Sequence, residues 1–383
     1  MNRAPRLALA LLASFCVALL ATRAPAADDI SAMLEPLVKK HCVPALGGAI
    51  VDLGGLRAVG AFGKRRADRD EPVTKNDKWH LGSCTKSMTA TLAAILVERG
   101  DLSWDLKLKD AYPKLKVDAG YREVTLAQLL TNRGGLPTDL SAHGLWGRLW
   151  QLQSEPPAHR QALAEGVLAH PPKVGPGTYL YSNAGFSIAG GICERVSKKA
   201  YEELIAKEMF VPLGMTSAGF GAPGKVGKFD QPCGHSTDGT PVSPGPAADN
   251  PLAIAPAGRV HCTLEDWARY VRLHLRGAKG RATPEKTPLL APKTIQILHK
   301  APDAGGGHYA FGWSRPERSW AGGQVLTHSG SNTMWYCVVW AAPERGFAVL
   351  ATCNQGGNNA AMACDAVAAT LIRYHATRRS GNG

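Results

Sequence analysis

Much that would place a chain quickly is missing from this one. Its 383 residues contain no C-x-x-C and no H-E-x-x-H, the spacings a zinc site usually needs, so no metal or organic cofactor is implied. Lys and Arg are spread along the chain without a basic run interleaved with aromatics, so nucleic acid is excluded as a partner. No repeat recurs at a solenoid or propeller period. Beyond the first twenty or so residues no run is apolar enough to span a bilayer, so no integral membrane segment is expected. A G-x-S-x-G following a strand is also lacking: the nearest approach, "GFSIA" from Gly185, falls in a helical pattern, which argues against an α/β-hydrolase.

What is present begins with a leader. Arg3 and Arg6 precede an apolar stretch from Leu7 to Leu20, and Ala24, Pro25 and Ala26 form an A-x-A pattern. This reads as a secretory signal peptide over residues 1–26, giving a periplasmic or secreted product. Phe15 before Cys16 disfavours a lipid anchor. The formal charge is +13, and +10 once Arg3, Arg6 and Arg23 leave with the leader, an excess suited to an anionic cell-wall surface. Eight of the nine cysteines follow the leader: Cys42, Cys84, Cys193, Cys233, Cys262, Cys337, Cys353 and Cys364. The run "MWYCVVWAAPERGFAVLATC" reads as a hairpin turning at Pro343 to Gly346, and an oxidising compartment would let Cys337 and Cys353 pair across it.

The remaining chain, about 350 residues, is long enough for two intertwined subdomains. Helical periodicity runs from Asp28 to Lys40, and short β-type runs at Gly47–Asp52 and Arg57–Phe62 flank a "GG". A helix begins near Ser83 and ends at Gly100. Helices and loops with proline punctuation fill Leu102 to Val271, and "CTLEDWARYVRLHL" is an amphipathic helix with Thr263 as cap and Asp266 at the capping-box position. Strands return at Tyr309–Trp313, Gln324–Leu326, Met334–Ala341 and Phe347–Cys353, and a last helix covers Asn359 to Tyr374. Strands at both ends with helices between predict an α+β fold: one antiparallel sheet built from both termini, flanked by helices, with an inserted helical subdomain. The expected boundaries are a domain over 27–376, with sheet parts at about 30–100 and 270–376 and a helical part at about 101–269, then a flexible tail over 377–383.

Three short patterns occur once each and in order: Ser83-x-x-Lys86, Tyr181-Ser182-Asn183 and His328-Ser329-Gly330. Alone, each has an ordinary explanation. "GS" before an apolar run is helix-start punctuation, "YSN" suits a turn before a helix, and "HSG" suits a strand ending in a polar turn. Together, with "LLTNRGGLP", "PAGRVHCTLEDWARY" and "PERGFAVLATCNQ" around them, the chain resembles the serine β-lactamase and penicillin-binding superfamily. The resemblance runs from Ile30 to the C-terminal helix, and the branch is that of class C β-lactamases, D-alanyl-D-alanine carboxypeptidases, D-aminopeptidases and related esterases. It implies a β-lactamase/transpeptidase-like fold and a serine hydrolase acting on a small-molecule ester, peptide or β-lactam.

The chemistry follows from the residue types. A serine hydroxyl needs a base within hydrogen-bond reach, and residues three apart on a helix share a face, so Lys86 is expected beside Ser83 and buried in a nearly neutral form. Tyr181 would carry the proton to the leaving group, and Asn183 would orient Lys86 and bind a substrate carbonyl. His328, Ser329 and Gly330 would line the substrate, and the backbone N–H groups of Ser83 and Ser331 would form an oxyanion hole. Departures from the family pattern matter. H-S-G replaces the K-T-G of class C β-lactamases, which argues for an ester or D-amino-acid amide over an efficient lactamase. Asn132 replaces a usual histidine, and Arg259 stands where a small residue is common, narrowing or charging the cleft. The bond cleaved depends on loops such as Leu140–Leu152 and Gly221–Asn250. A non-catalytic penicillin-binding or sensor module is the rival of another class.

Overall fold

The computed structural model describes residues 26–282 and 289–380; residues 1–25 of the expected leader and 381–383 of the expected tail lie outside the described residues. Five strands form the body of a sheet: β1 (Ala45–Asp52), β2 (Gly55–Gly63), β3 (Leu326–Ser331), β4 (Tyr336–Ala342) and β5 (Phe347–Cys353). Their order is β2-β1-β5-β4-β3, all antiparallel, and the two-residue strand Asp28–Asp29 adds a parallel edge beside β2. Strands from the two ends of the sequence therefore meet at the β1–β5 pair, as expected. β3 is the opposite edge of the sheet.

Both faces of this sheet are covered, so its strands are apolar almost throughout rather than alternating. Helices α1 (Ser31–His41) and α5 (Gly357–Ser380) cover one face, where Leu34, Val367 and Leu371 pack on Leu46, Ile50, Val338 and Val349. Helix α4 (Leu264–Ala278) covers the other through Ala49, Val339 and Leu350. Each fully buried Val or Leu here is worth about 1.5–3 kcal/mol of transfer free energy. Small residues let the layers close. A Cβ at Gly60 would stand 2.4 Å from the backbone nitrogen of Ser31 on α1.

Between β2 and α4 lies the helical part, centred on α2 (Thr85–Glu98) and α3 (Asn183–Ser197). Every residue of α2 from Thr85 to Leu96 is buried, so the helix has no solvent face there. Among the described residues no helix is long and apolar enough to cross a membrane.

Several expectations are corrected. Helix α2 starts at Thr85, after a 3₁₀ turn over Gly82–Cys84, and Ser83 makes no side-chain cap. Tyr309–Trp313 is a tight turn, not a strand: Ala310 N–H donates to Trp313 O at 2.8 Å, and Gly312 adopts φ +82° where a Cβ would meet the Ser87 nitrogen at 2.4 Å. The strand placed at Gln324–Leu326 runs instead from Leu326 to Ser331. Thr263 caps α4, accepting from Asp266 N–H, but the Asp266 carboxylate accepts from Ser217 rather than closing a capping box. Helix α5 extends through Ser380, so 377–380 are helical rather than tail.

The Cys337–Cys353 disulfide is likewise absent. In the β4–β5 register Cys337 faces Thr352 and Tyr336 faces Cys353. Cys337 thus points to the α4 side and Cys353 to the α1/α5 side of the sheet. One residue of register is enough to separate them, because side chains alternate with period two. Both are free thiols, and the Cys337 thiol lies 3.5 Å from Cys84 Sγ. Peptide mapping of unreduced protein is expected to show no Cys337–Cys353 linked peptide; finding one would overturn the register.

Candidate active site

Ser83 is delivered by a short strand, Lys78–His80, which pairs with Val260–Thr263, and by Leu81, whose N–H donates to Val260 O at 2.8 Å. The chain then turns sharply through Gly82 at φ +45° into the 3₁₀ turn. One helical turn on, Lys86 is fully buried. Its Nζ lies 3.0 Å from Ser83 Oγ, 2.7 Å from Asn183 Oδ1 and 2.8 Å from Ala257 O. None of the three partners carries a formal charge. Burial lowers the Lys86 pKa from 10.5 to about 7, against a smaller upward pull from the Cys84 thiol. A neutral amine has two hydrogens and one lone pair. The carbonyls of Asn183 and Ala257 can only accept, so they take the two hydrogens, and the lone pair is left for the hydroxyl of Ser83.

Tyr181 approaches the same oxygen from the other side, its hydroxyl donating to Ser83 Oγ at 2.8 Å. Burial pushes this phenol well above its ordinary value, so at neutral pH it holds its proton. The Leu180–Asn183 segment is pinned by the loop at Asn132, a non-glycine residue at φ +57°. Leu180 N–H donates to Asn132 O and Ser182 N–H to Asn132 Oδ1, while Thr138 Oγ1 donates to Tyr181 O. Ser182, not Asn183, caps α3, accepting from Gly185 N–H. Asn183 is thereby free to reach Lys86.

The third wall is edge strand β3. A Cβ at Gly82 would stand 2.3 Å from the Ser331 nitrogen, and one at Gly330 would stand 2.0 Å from Leu81 O and 2.9 Å from the Ser83 nitrogen. Only glycine at both positions lets the Ser83 turn and the Ser331 backbone come this close. His328 lies in the wall with both ring nitrogens engaged: Nε2 is 3.0 Å from Tyr309 Oη, and Nδ1 is 2.5 Å from Ser329 O. Ser83, Tyr181, Tyr309, His328, Ser329 and Ser331 line a cavity of about 600 Å³, with Gly330 at its floor. The residues expected to act on or line the substrate thus converge on one cleft, except that Lys86 and Asn183 sit behind Ser83 rather than on the cavity surface; Asn132 backs the Tyr181 segment, and Arg259 lines a separate cavity instead of narrowing this one. Among the described residues, no group of three or more His, Cys, Asp or Glu side chains is arranged to hold a metal.

The family model described as Beta-lactamase matches residues 30–373. The chain belongs to the β-lactamase family. It is 27% identical over 270 residues to penicillin-binding protein 4 of Amycolatopsis lactamdurans, covering 70% of this chain and 68% of that relative. In fold it is similar to the octameric penicillin-binding protein homologue from Pyrococcus abyssi, with a TM-score of 0.72 and 24% identity over 89% of this chain and 76% of the other. It is similar also to D-alanine carboxypeptidase AmpC from Burkholderia cenocepacia, with a TM-score of 0.68 and 21% identity over 88% and 96%. At these identities the two structural likenesses speak for the fold alone.

This β-lactamase-family site has supports that no short motif announces. Asp249 is a buried knot: Asn250 N–H donates to Oδ1 at 2.7 Å, Asn332 Nδ2 donates to Oδ1 at 3.2 Å, and Arg259 Nε donates to Oδ2 at 2.9 Å. His80 Nε2 lies 2.9 Å from Oδ1, and its Nδ1 accepts from Gly82 N–H at 3.1 Å, which puts a ring proton on Nε2. One carboxylate thus ties Gly82, next to Ser83, to Asn332, next to Ser331. Burial by itself would raise the Asp249 carboxyl, but the His80 ring and the Arg259 guanidinium beside it hold it at about 2. Arg133 acts similarly on Tyr309. Its Nε and two Nη groups donate to the carbonyls of Ala304, Thr131, Tyr309, Gly306 and Gly307, fixing the loop that presents Tyr309 to His328. The one available signal was the departure at Arg259 from a small residue; the rest depends on contacts between distant segments.

Two outcomes follow. Lys86→Met is expected to be inactive yet more stable, because the wild-type lysine must give up a proton on folding between about 7 and 10.5. The unfolded chain binds more protons in that window, so wild-type stability rises with pH and the melting-temperature advantage of Lys86→Met shrinks from pH 7 to pH 10. Asp249→Ala should cost about 3–5 kcal/mol in chemical denaturation, as one partner of a buried ion pair is lost. The wild-type carboxylate contributes its stability above its ordinary 3.8 and loses it as pH falls toward about 2, so the acid dependence over that interval should be weaker in the variant.

Proposed function

We propose that the chain is an exported serine hydrolase that forms an acyl-enzyme on Ser83, acting on esters or on D-amino-acid-containing peptides and amides. The observation that carries this reading is the Lys86 amine, buried among neutral acceptors with its lone pair left for Ser83 Oγ. In acylation Lys86 takes the hydroxyl proton as Oγ adds to the substrate carbonyl. The amides of Ser83 and Ser331 receive the developing oxyanion. Tyr181, still protonated, donates its proton to the leaving group as that bond breaks, and the proton held by Lys86 makes good the loss within the Ser83–Lys86–Tyr181 cluster. Water then adds to the acyl group by the reverse of these transfers and frees Ser83.

Edge strand β3 supports an extended acyl chain lying beside Ser329 to Ser331. His328 in place of a lysine supports an ester or D-peptide substrate over a β-lactam, since both of its ring nitrogens are already engaged by Tyr309 and Ser329. A periplasmic or secreted location rests on the leader-like pattern of residues 1–26.

Purified protein and its Ser83→Ala variant assayed on p-nitrophenyl acetate and butyrate, nitrocefin and a D-Ala-D-Ala peptide test the proposal. Turnover of an ester or the peptide should vanish in the variant, and a fluorophosphonate should label only the wild type. The wild-type kcat/KM should fall about tenfold per pH unit below about 7, as Lys86 gains a proton. Folded wild type that neither turns over nor labels would leave the binding module standing in its place.

A further inference from the structure

The two loops left unassigned by the sequence meet in a second cavity, of about 590 Å³. The first is not a loop throughout: Leu149 and Trp150 lie on a short helix, Leu145–Gln151, with Leu152 at its end, while Gly221 and Asn250 come from the second. Arg259 supplies a positive charge. The backbone leading into Arg259 also backs the active site: Ala257 O holds Lys86, and a Cβ at Gly258 would stand 3.7 Å from the Ser83 nitrogen. Asn250 Nδ2 donates to Gly258 O at 3.3 Å, so the cavity rim and the nucleophile's support are bonded together.

The Arg259 side chain is 10% exposed. Its Nε is spent on Asp249 Oδ2, and Asp249 Oδ1 is occupied by Asn250, Asn332 and His80. The two Nη groups have no hydrogen-bond partner among the described residues, and Arg259 lines the cavity. A nearly buried guanidinium with four unused N–H donors in a half-apolar cavity matches a carboxylate carried on an alkyl or aryl spacer. Glu155 and His159 also line the cavity; Glu155 is exposed, and His159 Nε2 lies 3.1 Å from Ser154 O.

We propose that this cavity is a specificity subsite for a carboxylate-bearing part of the substrate, with Arg259 as the anion fork and Trp150, Leu149 and Leu152 packing the spacer. The proposal deepens the serine-hydrolase reading and rests on it for the word substrate. Binding can be tested without turnover. Calorimetry on Ser83→Ala protein should show 4-phenylbutyrate binding at least about tenfold more tightly than 4-phenylbutyramide, the scale of a charge-assisted hydrogen bond. Adding Arg259→Gln should abolish the preference, and Arg259→Lys, which keeps the charge but not the fork, should retain part of it. Equal binding of acid and amide, or a preference that survives Arg259→Gln, would overturn the subsite and leave Arg259 as a structural partner of Asp249.

Ester pairs then locate the carboxylate. A preference for p-nitrophenyl hydrogen glutarate over p-nitrophenyl pentanoate places it on the acyl side; a preference for 3-carboxyphenyl pentanoate over phenyl pentanoate places it on the leaving group. Either should weaken with added salt. Equal kcat/KM within both pairs overturns the specificity role. If neither an ester nor the D-Ala-D-Ala peptide is hydrolysed and no fluorophosphonate labels Ser83 while the calorimetric preference holds, the serine-hydrolase reading fails and the carboxylate site stands.

Discussion

A lysine buried with no carboxylate among its hydrogen-bond partners is the constraint on which the rest of this structure depends. Lys86 has no route to water because α2 is covered on every side down to Leu96. Its three partners come from separate parts of the chain: the turn at Ser83, the start of α3 at Asn183, and the carbonyl of Ala257. The helical part and the short helix Ala255–Gly258 that leads into the strand Val260–Thr263 are thereby referenced to one nitrogen. Local rules of sequence design disfavour such a residue, and its presence marks the place where stability is given up for chemistry. Its lowered pKa is the same fact seen as proton affinity.

The second constraint is closeness. Ser83 and Ser331 lie far apart in sequence, and their backbones approach only because Gly82 and Gly330 have no Cβ to intervene. Asp249 holds that approach from behind, binding Asn332 on the strand side and facing His80 on the turn side. It costs desolvation to bury this carboxylate, and the cost is offset by partners that fill both oxygens. The approach of the Ser83 and Ser331 backbones thus rests on the sheet edge and on one ionic knot rather than on Ser83, Lys86 and Tyr181 themselves.

The cysteines show where pattern reading ends. A hairpin between Met334 and Cys353 was legible from apolar runs around Pro343–Gly346, and β4 and β5 occupy it. Whether Cys337 and Cys353 share a face depends on a single residue of register, which turn composition does not specify; the two thiols end on opposite faces. The turn at Tyr309–Trp313 was missed for a related reason. Its apolar run matches a strand, but Gly312 packs against Ser87 of α2, a contact between segments with no local trace.

By itself the sequence determined the sheet built from both termini, the helical insertion and the residues Ser83, Lys86, Tyr181, Asn183 and His328 as a set. Hydrophobic periodicity and short-range spacing carry that information, because they report on faces of single elements. Only the tertiary structure decided that Ser83 sits on a 3₁₀ turn rather than a helix cap, that Lys86 has two carbonyls for its hydrogens, and that Asp249, Arg133 and Arg259 support the cleft. Most of those features rest on pairings between distant segments, such as Lys86 with Ala257 and Arg133 with Tyr309. A buried polar group must find a partner, but which one it finds is set by packing in three dimensions.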